Sequence, residues 1–213
     1  MSKYETDEEQ ITAIKAWWKE NATSVLSSIL IVAVSWSGWT YYQNDQRTKS
    51  ASASATFEMM QMSMEQGSFG DTAREGMKLL SDQPDSPYSA GASLLLAKHH
   101  VEQGKIDEAI VNLNWVVEHS NDGSMVLIAK LRLTNVFLDK GDAWQAENTL
   151  KSINLELLSK AEQANFSYSQ AMVALKNNQL EEAKKRLKEV VDNKKSATNL
   201  SRLAKLQLDD LAS

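Results

Sequence analysis

The sequence predicts an all-α protein, an α-solenoid of helix–turn–helix repeats behind a single N-terminal transmembrane helix. Three observations predict it. Two prolines and eight glycines among 213 residues leave little to break helices, and the abundant Ala, Leu, Lys, Glu and Gln favour them, because straight side chains lose little rotamer freedom in a helix. No charge occurs between Glu20 and Asp45. Downstream, Gly, Ala and Leu recur at a fixed spacing.

In residues 1–21, an acidic tail, Thr6-Asp7-Glu8-Glu9 has the form of a capping box, in which a hydroxyl and a carboxylate satisfy the first free N–H groups of a helix. Ile11, Ile14 and Trp18 then recur at helical spacing, which predicts a short amphipathic helix along a membrane surface. Residues 22–42 follow as ATSVLSSILIVAVSWSGWTYY. As a helix this stretch measures roughly 31 Å, the thickness of a bilayer's hydrocarbon core. Its seven Val, Ile and Leu residues favour insertion by roughly 2–4 kcal/mol, part of which the serines remove. Trp17 and Trp18 precede the apolar run, and Trp36, Trp39, Tyr41 and Tyr42 close it. Aromatic rings with a polar edge gather at headgroup depth, so the two clusters mark two interfaces.

A cleaved signal peptide is the rival reading, since Ala51-Ser52-Ala53 and Ala53-Ser54-Ala55 resemble cleavage sites. The long acidic leader, and the polar residues between Tyr42 and those sites, fit an uncleaved anchor better. Lys3, Lys15 and Lys19 before the span nearly balance Arg47 and Lys49 after it, so charge alone leaves the orientation open. Ser24/Ser28 and Ala33/Ser37 are spaced by four, as in helix-docking faces, though such pairs are common by chance. Residues 43–56 are polar and small, a flexible tether or an Ala/Ser helix; the helix is favoured because no Pro or Gly interrupts it.

Residues 57–195 carry the repeat. Aligned on Gly104, Gly141 and Asn178, each copy has alanine five residues on (Ala109, Ala146, Ala183), leucine four further (Leu113, Leu150, Leu187), and Val116, Ile153 or Val190 three beyond. A fainter copy is read in Gly67, Ala73, Met77 and Leu80. Gly or Asn can take the left-handed conformation that ends one helix and turns into the next. The alanine lets helices approach, and the Leu and Val extend one apolar face. Residues 89–103, 125–140 and 160–177 read as the preceding helices. Such a helix pair cannot bury its face alone, so the units stack. Leu200, Leu203 and Leu206 then predict a capping helix within residues 196–213. The run Met59-Met60-Gln61-Met62-Ser63-Met64 reads first as core filling in the degenerate first repeat, although thioethers also suit adaptable binding surfaces.

Several kinds of chemistry lack their residues. A chain without cysteine has no disulfide, thiolate metal site or cysteine nucleophile. Adjacent His99 and His100 would point about 100° apart on a helix, and His119 falls near a helix end, where a cation complements the dipole. No phosphate loop or nucleophile elbow occurs, and no cofactor is expected. The net charge of −5 and the interleaving of acids with bases argue against nucleic acid. Lys184-Lys185-Arg186, preceded by Glu181 and Glu182, reads as a solvated face.

The repeat resembles the tetratricopeptide repeat, in the turn residue, the following Ile106 or Trp144, the helix B alanine, and Ala97 and Ala171 at the small position of helix A, where the intervening unit has Thr134. The chain as a whole resembles the YfgM family. The likeness lies in Tyr4-Glu5 and Glu9-Gln10, Ala13-Ile14-Lys15 before an aromatic pair, a span ending in Gly38-Trp39 and Tyr41-Tyr42, the Ser/Ala-rich entry from Ser50 to Ala55, and the repeats. That resemblance implies a bacterial inner-membrane protein with a cytoplasmic N-terminus and periplasmic repeats. It also implies association with the SecYEG translocon and a PpiD-like periplasmic chaperone, non-enzymatic handling of newly translocated proteins, and unfolded clients. A scaffold for another envelope assembly and a modulator of envelope stress signalling are the alternatives. In tetratricopeptide domains helix A lines the inner groove. By the repeat register those positions are Leu94, Lys98 and Val101, then Leu131, Asn135 and Leu138, then Tyr168, Met172 and Leu175. The set suits apolar segments, lacks the Lys/Asn cluster that clamps a peptide carboxylate, and lies in part where the capping helix would pack.

Overall fold

The computed structural model describes residues 7–211 of the chain. Thr6, on which the leading capping box turns, lies outside them, as do Lys3, Tyr4 and Glu5. In order come α1 (Asp7–Glu65), α2 (Phe69–Asp82), α3 (Pro87–Glu102), α4 (Ile106–His119), α5 (Gly123–Lys140), α6 (Ala143–Lys151), a 3-10 turn (Leu155–Leu157), α7 (Lys160–Lys176), α8 (Leu180–Asp192) and α9 (Thr198–Asp210). No strand occurs among the described residues. The chain divides into two compact units at Ala51/Ser52.

The first unit is helix. Leader, apolar stretch and the segment 43–56 all lie within α1. The surface helix expected as a separate element is thus continuous with the apolar stretch: no Gly or Pro lies between Trp18 and Ala22, and Asn21 donates from Nδ2 to the Trp17 carbonyl at 2.9 Å within the helix instead of capping a new one. α1 is the one described helix long and apolar enough to cross a membrane. Its apolar side chains, from Leu26 (56% exposed) to Trp36 (73%), lie on all sides without a protein partner. A helix that is apolar all round needs hydrocarbon around it. The hydroxyls of Ser28 and Thr40 donate to the carbonyls of Ser24 and Trp36, at 2.8 and 2.9 Å, which satisfies them where water is absent.

The second unit begins with the C-terminal end of α1, which serves as helix A of the first repeat. α1/α2, α3/α4, α5/α6 and α7/α8 are the four pairs, and α9 packs on α8. The turn inside each pair has one geometry. Gly67, Gly104, Gly141 and Asn178 have φ of 73°, 72°, 86° and 56°, and among the described residues no others have positive φ. At each, the N–H of the left-handed residue reaches the carbonyl three back (3.0–3.1 Å), and the next N–H reaches five back (2.8 Å). This is the Schellman closure, which satisfies the last free carbonyls of a helix. The four residues lie 37 apart.

Packing follows the same register. Ala109, Leu113 and Val116, then Ala146 and Leu150, then Ala183, Leu187 and Val190 are all buried. The first copy carries a correction. Its buried positions are Thr72, Gly76 and Leu79, five, nine and twelve residues after Gly67 as in the other repeats. The expected Ala73–Met77–Leu80 series is one residue out, and Met77 is 61% exposed. Alanine at 73 draws the alignment away from Thr72, the true small position. Trp144 is also displaced from its expected role. Ala143 is the counterpart of Ile106, and Trp144 points to solvent, 69% exposed.

Candidate functional site

Helix A of each repeat buries one side against its own helix B and turns another toward the neighbouring helix A. Between α3 and α5 this leaves a cavity of about 380 Å³ with Ala97, Leu113 and Val136 at its floor, and Lys98, Val101, Glu102, Arg132, Asn135 and Asp139 around it. A second, of about 660 Å³, lies between α5 and α7, lined by Asn135, Leu138, Asp139, Tyr168, Met172, Leu175 and Lys176. Asn135 and Asp139 belong to both, so the two form one groove with these residues on the ridge between its halves.

The rim is held in place. Arg132 donates from Nη1 to the Leu94 carbonyl at 3.1 Å, which binds α5 to α3. Lys98 pairs with Glu102 at 3.7 Å. At the far end Tyr168 and Met172 pack against α9, and Gln207 donates to the Met172 Sδ at 3.6 Å. Burial there pushes the Tyr168 hydroxyl above its ordinary pKa, so it stays a neutral donor. An apolar floor with a mixed rim suits a polypeptide segment that offers hydrophobic side chains and some polar backbone.

Of the nine residues expected to line the groove, the structure brings seven there: Lys98, Val101, Asn135, Leu138, Tyr168, Met172 and Leu175. Leu94 is 7% exposed and sits in the core with Ala90, Leu113 and Leu133. Leu131 packs on the cluster of Ala146, Leu150 and Phe166. Leu94 is thus buried beneath the groove, and Leu131, half-buried, turns to the core of the third pair. Sequence reasoning missed Arg132, Asp139 and Glu102 on the rim.

The histidines have structural surroundings. His99 is 5% exposed and stacks on Phe69 with ring centroids 4.2 Å apart. His119 stacks on Trp115 at 4.6 Å. Burial, and then the adjacent His99, lower the pKa of His100 and hold it neutral. Among the described residues no group of three His, Asp or Glu is placed to hold a metal.

Stacked helix pairs, left-handed turns at a 37-residue step and a groove along helix A define an α-solenoid of the tetratricopeptide class. A family model described as a tetratricopeptide repeat-like domain matches residues 15–164, and the chain belongs to that family. Among its relatives is the ancillary SecYEG translocon subunit of Haemophilus influenzae, 28% identical over 148 residues, 70% of this chain and 71% of that protein. Proteins of the same name from Aggregatibacter actinomycetemcomitans and Escherichia coli are 28% and 25% identical over 155 and 156 residues, 73% of this chain in each case and 76% and 75% of theirs. The likeness to the YfgM family drawn from the residues is the likeness these relatives carry.

Proposed function

We propose that this chain is a membrane-anchored, non-catalytic binding subunit that associates with the SecYEG translocon of the bacterial inner membrane. Its repeats lie in the periplasm and its leader in the cytoplasm. The α3/α5/α7 groove takes apolar segments of polypeptides that leave the channel and keeps them from aggregating until a PpiD-like periplasmic chaperone receives them. The groove's apolar floor, continuous across two repeat interfaces, carries the reading. The relatives' shared name supports the translocon as the assembly, and the span in α1 supports the inner membrane as the place.

A photo-crosslinking amino acid at Asn135, exposed on the ridge, tests it in native membranes. Adducts to translocon subunits and to chains in transit are expected, and Val101→Asp should reduce the latter at least tenfold. Adducts confined to cell-wall or outer-membrane machinery would instead make the protein a scaffold for another envelope assembly. Val101 is the better site for the charge than Leu131 or Leu138, because both leucines also pack on the core of the third pair.

A further inference from the structure

On the side of α7 away from the groove, a further cavity of about 320 Å³ opens between α6 and α8. Groove residues Tyr168, Met172 and Leu175 and cavity residues Phe166, Gln170 and Val173 fall on opposite faces of α7, given the turn of an α-helix. The two sites share no residue. Leu150, Phe166, Val173 and Ala174, all buried, form the cavity's floor. On its rim Glu147 pairs with Lys151 and Glu182 with Arg186, each at 2.7 Å.

The repeat register accounts for the opening. One unit earlier, Phe137 packs on the core clusters to either side of it, and Leu133 is buried one turn before it. Their counterparts here are Ala174 and Gln170. Phe166 supplies a ring where the earlier unit has Ala129, but about two turns along the helix, so the place of Phe137 stays empty. α6 is also short, nine residues against fourteen in α4 and thirteen in α8. It leaves Leu155 beside the opening, 51% exposed. Close-packed interiors keep few such voids.

The lining narrows the occupant. Each rim cation already has an acid, so an uncharged group suits the cavity better than an ion. Gln170 lines the wall, and its buried amide oxygen has no hydrogen-bond partner. A half-turn of the carboxamide presents either its oxygen or its NH2 to the cavity. A phenol hydroxyl donates to the one or accepts from the other, whereas an indole N–H only donates and a phenyl ring does neither. We infer that the α6/α7/α8 cavity takes a tyrosine side chain from a partner polypeptide. The ring lies over Ala174, where the preceding unit keeps Phe137, and the hydroxyl meets the Gln170 amide. Trp144 shares a face of α6 with Glu147 and Lys151, at spacings of three and four. With Leu155 it places exposed apolar surface near the two ends of α6, for the residues that flank the tyrosine. A free phenol would leave that surface in water.

The full chain in detergent, carrying isotope-labelled glutamine, tests it by titration with N-acetyltyrosinamide and N-acetylphenylalaninamide. The side-chain amide resonance of Gln170, assigned by its loss in Gln170→Leu, reports the site. The tyrosine probe should move that resonance and bind roughly three- to tenfold more tightly than the phenylalanine probe, the worth of one hydrogen bond. Ala174→Phe restores the ring of the preceding unit and should weaken the tyrosine probe about tenfold or more by direct clash, without lowering the unfolding midpoint. Ala174→Leu, a smaller filling, should weaken it less. A resonance that does not move, or affinity undiminished in both filled variants, would overturn the site. Equal affinity for the two probes would overturn the pairing with Gln170. p-Cresol bound as tightly as the capped tyrosine would overturn the polypeptide as its source. Crosslinking at Asn135 should be the same in both filled variants, because the groove lies on the other face of α7.

Discussion

At one pair of equivalent positions, the second to fourth repeats have Ala97, Thr134 or Ala171 on helix A and Leu113, Leu150 or Leu187 on helix B, whereas the first has Met60 and Gly76. All four helix A residues are fully buried or nearly so. A Cβ added at Gly76 would meet the Leu96 Cδ1 at 2.9 Å and the Met60 Cε at 3.1 Å, so the methionine and Leu96 occupy the space that leucine fills elsewhere. The repeats keep summed volume at this crossing, not residue type, as close packing demands. The first repeat differs in another way. Ala92, Leu96 and His99, and likewise Ala129, Leu133 and Val136, are buried beneath the preceding helix B. Their counterparts Ala55, Met59 and Met62 are exposed, Met59 by 45% and Met62 by 51%, because no helix B precedes them.

The largest effect should come from that second contrast. Leu133 and Met59 hold the same register. Leu133→Ala should cost about 2–5 kcal/mol, transfer energy plus a cavity, whereas Met59→Ala should stay within about 0.5 kcal/mol. Denaturant midpoints of the full chain in detergent give both numbers. Equal losses would mean that Met59 is covered after all, and the contrast between first and later repeats would fail.

Exchange of volumes comes next. Gly76→Leu alone should destabilise by about 1–3 kcal/mol through overpacking. Met60→Ala in the same chain should recover most of that, since the pair then matches the later repeats. Hydrogen exchange of α2 and α3 amides, compared in a double-mutant cycle, reads the coupling. An additive cycle would show that Leu96, rather than Met60, sets the limit.

Legibility tracks these contrasts. The turns and three of the four repeats are readable because backbone chemistry restricts the residue at a left-handed position to Gly or Asn, and burial restricts Ala109, Ala146 and Ala183. The first repeat reads one residue out because volume exchange erases its Ala–Leu signature, leaving Gly67 as the sole reliable mark. Seven groove residues follow from the register alone. Leu94 and Leu131 fall outside the groove, because periodicity specifies a direction around the helix but not how far a neighbouring helix covers it. The apolar segment declares itself through its aromatic ends, while the continuity of α1 through residues 43–56 rests on nothing stronger than missing breakers.

The turns offer a smaller test of likeness among repeats. Gly141 has φ of 86°, Asn178 of 56°, and a Cβ at Gly141 would meet nothing within 4 Å. Gly141→Ala should therefore cost about 1–2 kcal/mol from backbone strain alone. Asn178→Gly should change stability little, and Asn178→Ala should destabilise, since asparagine tolerates this region where alanine does not. Unfolding midpoints that ranked Ala equal to Asn at 178 would show that the last turn does not depend on its left-handed residue.

The smallest effect separates α7 from the other helices of the repeat unit. Ser159 and Glu162 form a capping box: the Glu162 N–H donates to Ser159 Oγ at 3.3 Å, and the Ser159 N–H donates to Glu162 Oε2 at 2.8 Å. Ser159-Lys160-Ala161-Glu162 carries this motif in the sequence; α2, α4, α8 and α9 have no side-chain cap bond at all. Bonds from the Ser159 side chain and backbone hold the Glu162 carboxyl below its ordinary pKa. A depressed carboxylate stabilises the fold above its unfolded-state pKa, and that contribution disappears as pH falls through the folded value. Ser159→Ala should cost about 1 kcal/mol at neutral pH. Glu162→Gln should cost less, since the amide still accepts from Ser159, and it should flatten the acid limb of α7 hydrogen exchange below the ordinary carboxylate range. An acid limb unchanged by Glu162→Gln would assign that loss to another carboxylate and leave α7 capped by serine alone.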